Sequence, residues 1–402
     1  MPNPPLDDMT ARLVRSQLSR RSMLAGAGGV GLAAALAACG TGDSGSSAES
    51  RPSPAQDKSA TSKEVRWANW TLYLDYDPKT KTYPTLEAFQ KKTGIKATYS
   101  EDIEDNDSYN GKIQTQVAAG KDFGKDVIVF TDWMAARYVR QGWLHELDRS
   151  AMPNTQNLRP QLEHVDFDDG RHYSMTWQSG FGVVAWNKEK VPNGIKNVSD
   201  LWASDLHGRV EVLSEMRDTM GLILLEQGVD ISKEFTDDQF SNGLDVLQKQ
   251  IDNGQIRQVK GNSYKDDLIS GDALAVIGWS GDIFQINAEN GNRWGVAIPE
   301  AGGTYWSDNL LVPVGSPHLS NAEKLIDFYY DPKIAAQVAA YVNYVSPVVG
   351  AKEEMEKIDK DLAESPWIFP SDEFLKGVKP FRTLDPDKDQ LYSEQFQQVI
   401  GF

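Results

Sequence analysis

The chain has 402 residues, 58 of them acidic against 41 basic, and a net charge of −17 at pH 7. Such a surface repels nucleic acid and draws cationic ligands over long range, so nucleic-acid binding is disfavoured. A single cysteine excludes a disulfide within the chain, and the length exceeds what one ordinary hydrophobic core serves, so two lobes are expected.

The first element is an export address. Ser19-Arg20-Arg21-Ser22-Met23-Leu24 is a twin-arginine pattern, followed by an uncharged stretch from Met23 to Ala38 that is too short for a permanent membrane span. Leu36-Ala37-Ala38-Cys39 has the form of a lipobox, so residues 1–38 read as a lipoprotein signal peptide and Cys39 as the lipidated anchor on the outer face of the cell membrane. Without residues 1–38, which hold four Arg and two Asp, the net charge becomes about −19. Gly26-Ala27-Gly28-Gly29-Val30-Gly31 matches a dinucleotide fingerprint, but no strand precedes it and no βαβ unit surrounds it, which that chemistry requires. Residues 39–62 are rich in Gly, Ser and Pro and read as a flexible tether, so Gly42-Asp43-Ser44-Gly45 within them is no nucleophile loop.

From residue 63 the pattern becomes that of a folded α/β chain. Val65-Arg66-Trp67-Ala68 reads as a strand, Asn69-Trp70-Thr71 as a turn, and Thr85 to Thr93 as a helix stopped by Gly94. A strand begins at Ala97, and the acidic run Glu101 to Asp107 reads as a solvated loop because it lacks the glycine and spacing of a calcium loop. A helix near Tyr109 to Ala119, a buried strand over Asp126 to Phe130 and a helix from Thr131 to Gln141 follow. Farther on, 183–186 and 210–213 read as strands, Thr236 and Gln239 make a capping box, and 273–278 is another buried strand. Trp294 to Ile298 and Thr304 to Val314 are extended, Ser320 and Glu323 suggest a second capping box, and Pro332 opens a helix before Tyr344. Strand and helix alternating in this way argue for a mostly parallel sheet whose ligand contacts sit at the carboxyl ends of its strands.

Trp70, Trp133, Trp279 and Trp306 fall at such strand ends, near polar or acidic residues. An indole face attracts ammonium and covers methylene groups, while a carboxylate adds a charge-assisted hydrogen bond, so this set suits an organic cation. Glu215 and Asp218, three apart in the first turn of a helix, could share one face with it; acids at that position are also ordinary partners of the helix dipole.

Several motifs then occur in order: Asn69-Trp70-Thr71-x-Tyr73, the strand ending at Phe130, Leu201-Trp202 before Leu206-His207-Gly208-Arg209-Val210, Gly278-Trp279-Ser280-Gly281, and Gly302-Gly303-x-x-Trp306-x-Asp308. Over about residues 64–344 the chain resembles the spermidine/putrescine-binding proteins of bacterial ABC transporters. The resemblance implies a two-lobe type II periplasmic-binding-protein fold with crossing hinge strands near 173–187 and 296–314. The first lobe would take residues 63–180 and 299–345, the second 181–298 and 346–402. It implies a ligand site of Trp70, Thr71, Tyr73, Thr131, Trp133, Glu215, Asp218, Trp279, Trp306, Asp308 and Tyr344. It also implies a membrane permease as partner, a monomer, and no cofactor or metal. Leu72 departs from the pattern, since spermidine binders commonly carry Glu between the Thr and the Tyr; this favours a diamine such as putrescine or a differently seated spermidine, with Asp132 or Asp282 as alternative carboxylates. The family's amide contact near the C-terminus finds no clear match around Phe381 and Arg382.

Other readings stay open. The same architecture could bind ferric iron, a sugar or an opine-like compound, and Tyr329-Tyr330 would be the iron-binding pair, although helical packing explains at least one of them. A secreted hydrolase or lyase is the third reading. His145, His164, His172, His207 and His318 show no metal-ligand spacing, and only the Glu215 and Asp218 pair could do acid-base work.

Overall fold

The computed structural model describes residues 51–401; the twin-arginine segment, the lipobox and Cys39 lie outside the described residues. The chain begins with strand β1 (Glu64–Trp70), helix α1 (Pro84–Thr93) and strand β2 (Lys96–Ile103), with β1 and β2 parallel. Helix α2 (Asn106–Ala118) leads to β3 (Ile128–Thr131) and α3 (Asp132–Gln141), and a parallel bridge from Trp67 to Val127 joins β1 to the approach to β3. A small antiparallel pair, β4 (His164–Val165) with β5 (Asp168–Asp169), precedes the long strand β6 (Ser174–Asn187). The second group comprises β7 (Val210–Leu213), α4 (Met216–Glu226), α5 (Asp237–Asp252), β8 (Ile256–Lys260), α6 (Tyr264–Ser270), β9 (Ala275–Trp279), α7 (Ser280–Asn290) and β10 (Trp294–Ala297). Strand β11 (Gly303–Leu311) returns to the first group, where α8 (Leu319–Tyr329) and α9 (Pro332–Val342) pack; β12 (Val378–Pro380) and α10 (Pro386–Ile400) complete the chain.

Two strands carry the architecture. The 14 residues of β6 pair along their first part with β11 and along their last part with β9 and β10, so one strand belongs to both groups. Its antiparallel partner β11 pairs in turn with β3, giving an eight-stranded sheet ordered β12-β11-β6-β9-β7-β8 with β3 on β11 and β10 on β6. These are the crossing strands of a two-lobe type II fold, at the two places the motifs suggest. The first group buries an aromatic cluster in which Trp67 lies 5.1–5.3 Å between ring centroids from Tyr99, Trp177 and Tyr329. Tyr329 and Tyr330 are therefore core residues, and the Tyr330 hydroxyl donates to the Thr176 carbonyl at 2.5 Å.

Three local expectations are corrected. The tether 39–62 is ordered in its last part: Ala55 N–H donates to Val314 O at 2.8 Å, Lys58 N–H to Pro317 O at 2.7 Å, and Ser59 is buried. The reason lies at the start of α8, whose first N–H groups need acceptors. The Asp57 carboxylate accepts from Ser320 N–H and Oγ, and Asn321 N–H donates to Ser59 Oγ at 3.1 Å. Consequently no capping box forms between Ser320 and Glu323; the N-cap is His318, and Glu323 accepts from Asp148 N–H instead. The acidic run Glu101 to Asp107 is no free loop either. It ends β2, supplies Asp105 as the side-chain cap of α2 and buries Asn106. The capping box of Thr236 and Gln239 does form at α5.

One buried charge holds the opening strands together. Asp126, fully buried, accepts from Arg66 N–H at 2.8 Å, from its guanidinium at 2.8 and 2.9 Å and from Ser316 Oγ at 2.7 Å, with His318 Nδ1 at 3.1 Å. Burial alone would raise its pKa, but Arg66, Ser316 and His318 pull it below the ordinary carboxylate value. A lowered folded-state pKa contributes stability above the unfolded value and loses it as the pH falls through the folded one. Asp126→Asn should therefore cost about 3 kcal/mol at pH 7, the loss shrinking as the pH falls below about 4. Denaturant melts of both proteins at pH 7 and pH 3 measure this.

Candidate functional site

The sheet register builds the site before any ligand is considered. Asp308 on β11 stands opposite Thr131 at the end of β3, and Thr131 Oγ1 donates to Asp308 Oδ1 at 2.7 Å. Tyr73, from the turn after β1, donates its hydroxyl to Asp308 Oδ2 at 2.9 Å. Glu215 is the N-cap residue of α4 and Asp218 lies in its first turn, so both carboxylates point out of the helix start, where the backbone dipole favours negative charge. Asp218 accepts from Trp279 Nε1 at 2.8 Å and from Thr304 Oγ1 at 2.7 Å. Glu215 Oε1 accepts from Asn106 N–H at 2.7 Å and from Asn106 Nδ2 at 2.8 Å, a contact reaching across from α2. Gly182 sits on β6 between Trp279 and Thr304, and a Cβ there would collide with Thr304 Oγ1.

Aromatic rings wall the space between these carboxylates. Trp70 meets Trp279 edge-on at 5.8 Å between centroids, and Trp70 is fixed by its Nε1–H donating to Val129 O at 3.2 Å. Tyr344 packs edge-on against Tyr73 at 5.2 Å and tilted against Trp306 at 5.4 Å. Its hydroxyl donates to Asp282 Oδ1 at 3.0 Å. Gly281 permits that approach, because a Cβ there would stand 2.5 Å from the Tyr344 ring. The resulting cavity is lined by Trp70, Thr71, Tyr73, Thr131, Glu215, Asp218, Asn262, Trp279, Asp282, Trp306, Asp308 and Tyr344. That mixture of aromatic wall and few convergent polar groups suits a small organic molecule.

Trp133 is the one candidate residue outside this cavity. It is the second residue of α3 and faces an adjoining space that also holds Arg217 and Arg382. The reason is electrostatic: the Arg217 guanidinium lies 4.2 Å from the centre of the Trp133 ring and Arg137 5.1 Å, so internal cations occupy the indole. Both arginines also bind Asp389 of α10, Arg217 at 2.6 Å and Arg137 at 3.0 Å. Leu72 adopts φ of 58° and does not line the cavity; its N–H donates to Glu101 Oε1 at 3.0 Å and its carbonyl accepts from Gln285 Nε2 at 2.9 Å. Of the two alternative carboxylates, Asp282 lines the cavity, while Asp132 faces the adjoining space and accepts from Asn309 Nδ2 at 2.8 Å.

Sequence reasoning missed Asn106 and Asn262. Each is an asparagine in a polar stretch, and only the fold brings them to Glu215 and Asp282. Their one signal in the sequence was position: both fall just after a strand, where a sheet of this type presents its ligand loops.

The charge balance of the cavity is unusual. Among the described residues, no lysine or arginine forms an ion pair with Glu215, Asp218 or Asp308. Burial raises all three: Asp308 to about 7 despite its bonds from Thr131 and Tyr73, Glu215 well above its ordinary value, and Asp218 upward against the donors Trp279 and Thr304. No group of three or more His, Cys, Asp or Glu among the described residues is arranged to hold a metal ion. The site thus gathers buried carboxyl groups with aromatic rings between them.

The chain is similar to known proteins. Residues 85–366 match the family described as bacterial extracellular solute-binding protein. The chain is 27% identical over 354 residues to spermidine/putrescine-binding periplasmic protein 1 of Haemophilus influenzae, covering 85% of this chain and 92% of that one. It is 24% identical over 361 residues to the putrescine/agmatine-binding protein of Pseudomonas aeruginosa, covering 85% and 95%. Among solved structures, the spermidine/putrescine ABC transporter substrate-binding protein of Streptococcus pneumoniae superposes with a TM-score of 0.67 at 23% identity, over 84% of this chain and 98% of that one. A binding protein from Agrobacterium in complex with agropinic acid does so with the same TM-score at 20% identity, over 84% and 98%. Those two likenesses carry the fold alone. The chain belongs to the bacterial extracellular solute-binding proteins, and its relatives among them are the spermidine/putrescine-binding proteins that its ordered motifs resemble.

Proposed function

We propose that this protein captures a polyamine, putrescine or spermidine, between its two lobes and delivers it to the permease of an ABC importer. The observation that carries the reading is the convergence of Glu215, Asp218 and Asp308 on one aromatic cavity with no ion pair to any of them among the described residues, Arg217 acting on Asp218 only from the adjoining space. A polyamine is a methylene chain ended by ammonium groups. Trp279, Trp306 and Tyr344 offer faces for the chain, Glu215 and Asp218 take one ammonium, and Asp308 takes another. The lobes in this reading comprise 63–180 with 299–345 and 181–298 with 346–402, the docked residues 55–62 joining the first. Export by the twin-arginine route and lipid attachment at Cys39 belong to the same proposal, as does action as a monomer.

Iron is disfavoured because Tyr329 and Tyr330 are buried in the core rather than in the cavity. A neutral sugar would bring no charge to the carboxyl groups that converge on the cavity.

Ligand charge and protonation are linked. A carboxylate whose pKa is raised by burial destabilises the fold as the pH rises through the interval between its unfolded and folded values. An arriving ammonium lowers that pKa again, so binding strengthens as the pH rises from 5 to 8. Asp308→Asn should make the ligand-free protein more stable at pH 8, by on the order of 1 kcal/mol, and flatten its stability between pH 5 and pH 8; thermal melts across that range decide it. Calorimetric titration at pH 7.5 should give putrescine or spermidine a Kd below about 100 μM, roughly 5.5 kcal/mol, with glucose and ferric citrate silent. Trp279→Ala and Asp218→Asn should each weaken the amine at least about tenfold, the loss expected of one cation–π face or one charged hydrogen bond. Absence of amine binding, or binding unaffected by both substitutions, would overturn the reading.

A further inference from the structure

Asp282 differs from the other three cavity carboxylates because it already has a cation. Lys265, on α6, places its ammonium 3.4 Å from Asp282 Oδ1, and both side chains are buried. The Lys265 Nζ has no hydrogen-bond acceptor within proper geometry, so its charge is held in place by electrostatics and enclosure. Asp282 is otherwise saturated: Tyr344 Oη donates to Oδ1, and Asn262 Nδ2 and Tyr264 Oη donate to Oδ2, each at 3.0 Å. Tyr344 and Asn262 themselves line the cavity, so this cluster forms part of its wall. Glu101, which holds the Leu72 N–H, is raised by burial, and the Lys265 charge acts on it in the opposite direction.

We propose that Lys265 is a built-in counter-cation that removes Asp282 from the set of carboxylates offered to the ligand and thereby makes the cavity selective for a diamine over a triamine. This rests on the polyamine reading of the site. With Asp282 paired internally, the ligand meets Glu215, Asp218 and Asp308, which suit two ammonium groups. A third ammonium directed at the Asp282 end would compete for one carboxylate with a buried like charge, and repulsion at such short range in an enclosed site discriminates strongly. The lysine thus excludes by repulsion where the remainder of the site binds by attraction.

The test compares putrescine and spermidine by calorimetry on wild type, Lys265→Met and Lys265→Gln. Either substitution removes the charge and frees Asp282. The ratio of spermidine to putrescine affinity should move at least about tenfold toward spermidine, with putrescine itself changing less than about threefold. Lys265→Arg, which keeps the charge, should leave the ratio as in wild type. The glutamine variant covers the case in which methionine does not fold, since it fills similar space with a polar end, and far-UV dichroism verifies each variant. A ratio unchanged within about twofold in a folded, putrescine-binding variant overturns this proposal alone. Absence of amine binding in wild type and variants alike overturns the polyamine reading and this proposal with it.

Discussion

The site rests on three buried carboxyl groups, Glu215, Asp218 and Asp308, that form no ion pair among the described residues. A charged group in an apolar enclosure is costly, and a protein avoids it by pairing, by protonation or by exposure. Glu215, Asp218 and Asp308 have hydrogen-bond donors but no ion pair among the described residues, so protons or a cationic partner would complete them. The contrast lies within the same chain. Asp126 is equally buried, paired with Arg66, and held below its ordinary pKa. Pairing holds one carboxyl group below its ordinary pKa, and burial raises the other three.

Sheet topology keeps those three together. Strands β6 and β11 run through both lobes, and the residues that meet the cavity lie where they exchange partners: Thr131 opposite Asp308, Gly182 between Trp279 and Thr304. Asn106 ties α2 to Glu215 while also donating to Thr131 Oγ1 at 2.9 Å, linking the acid of one lobe to the hydroxyl that holds the acid of the other. A ligand that neutralises Glu215 and Asp308 together therefore stabilises the lobes in contact, which gives a receptor a physical basis for a closed liganded form.

Much of the fold was legible because each element carries its own signals. The Thr236 capping box, the strand 210–213, the stop at Gly94 and the helix opened by Pro332 follow from local chemistry and recur in the structure. Glu215 and Asp218 could be placed at a helix start for the same reason. What escaped depends on partners distant in sequence. Ser320 and Glu323 have the right spacing for a capping box, yet Asp57, more than 260 residues earlier, reaches that helix start first. Trp133 has the position of a ligand-binding ring, but Arg217, 84 residues later, stacks on it. Lys265 carries no signal in the sequence, and its burial beside Asp282 appears only in three dimensions.

Burial raises the carboxyl groups of the cavity above their ordinary pKa, and an organic dication that binds among them should lower them again. Calorimetric titration with putrescine at pH 7, repeated in buffers of different ionisation enthalpy, measures this directly as the number of protons exchanged on binding. Net proton release is expected, diminishing toward pH 9 and smaller in Asp308→Asn than in wild type, with 1,4-butanediol producing none. Putrescine binding with no proton exchange at pH 7, or with net uptake, would contradict it.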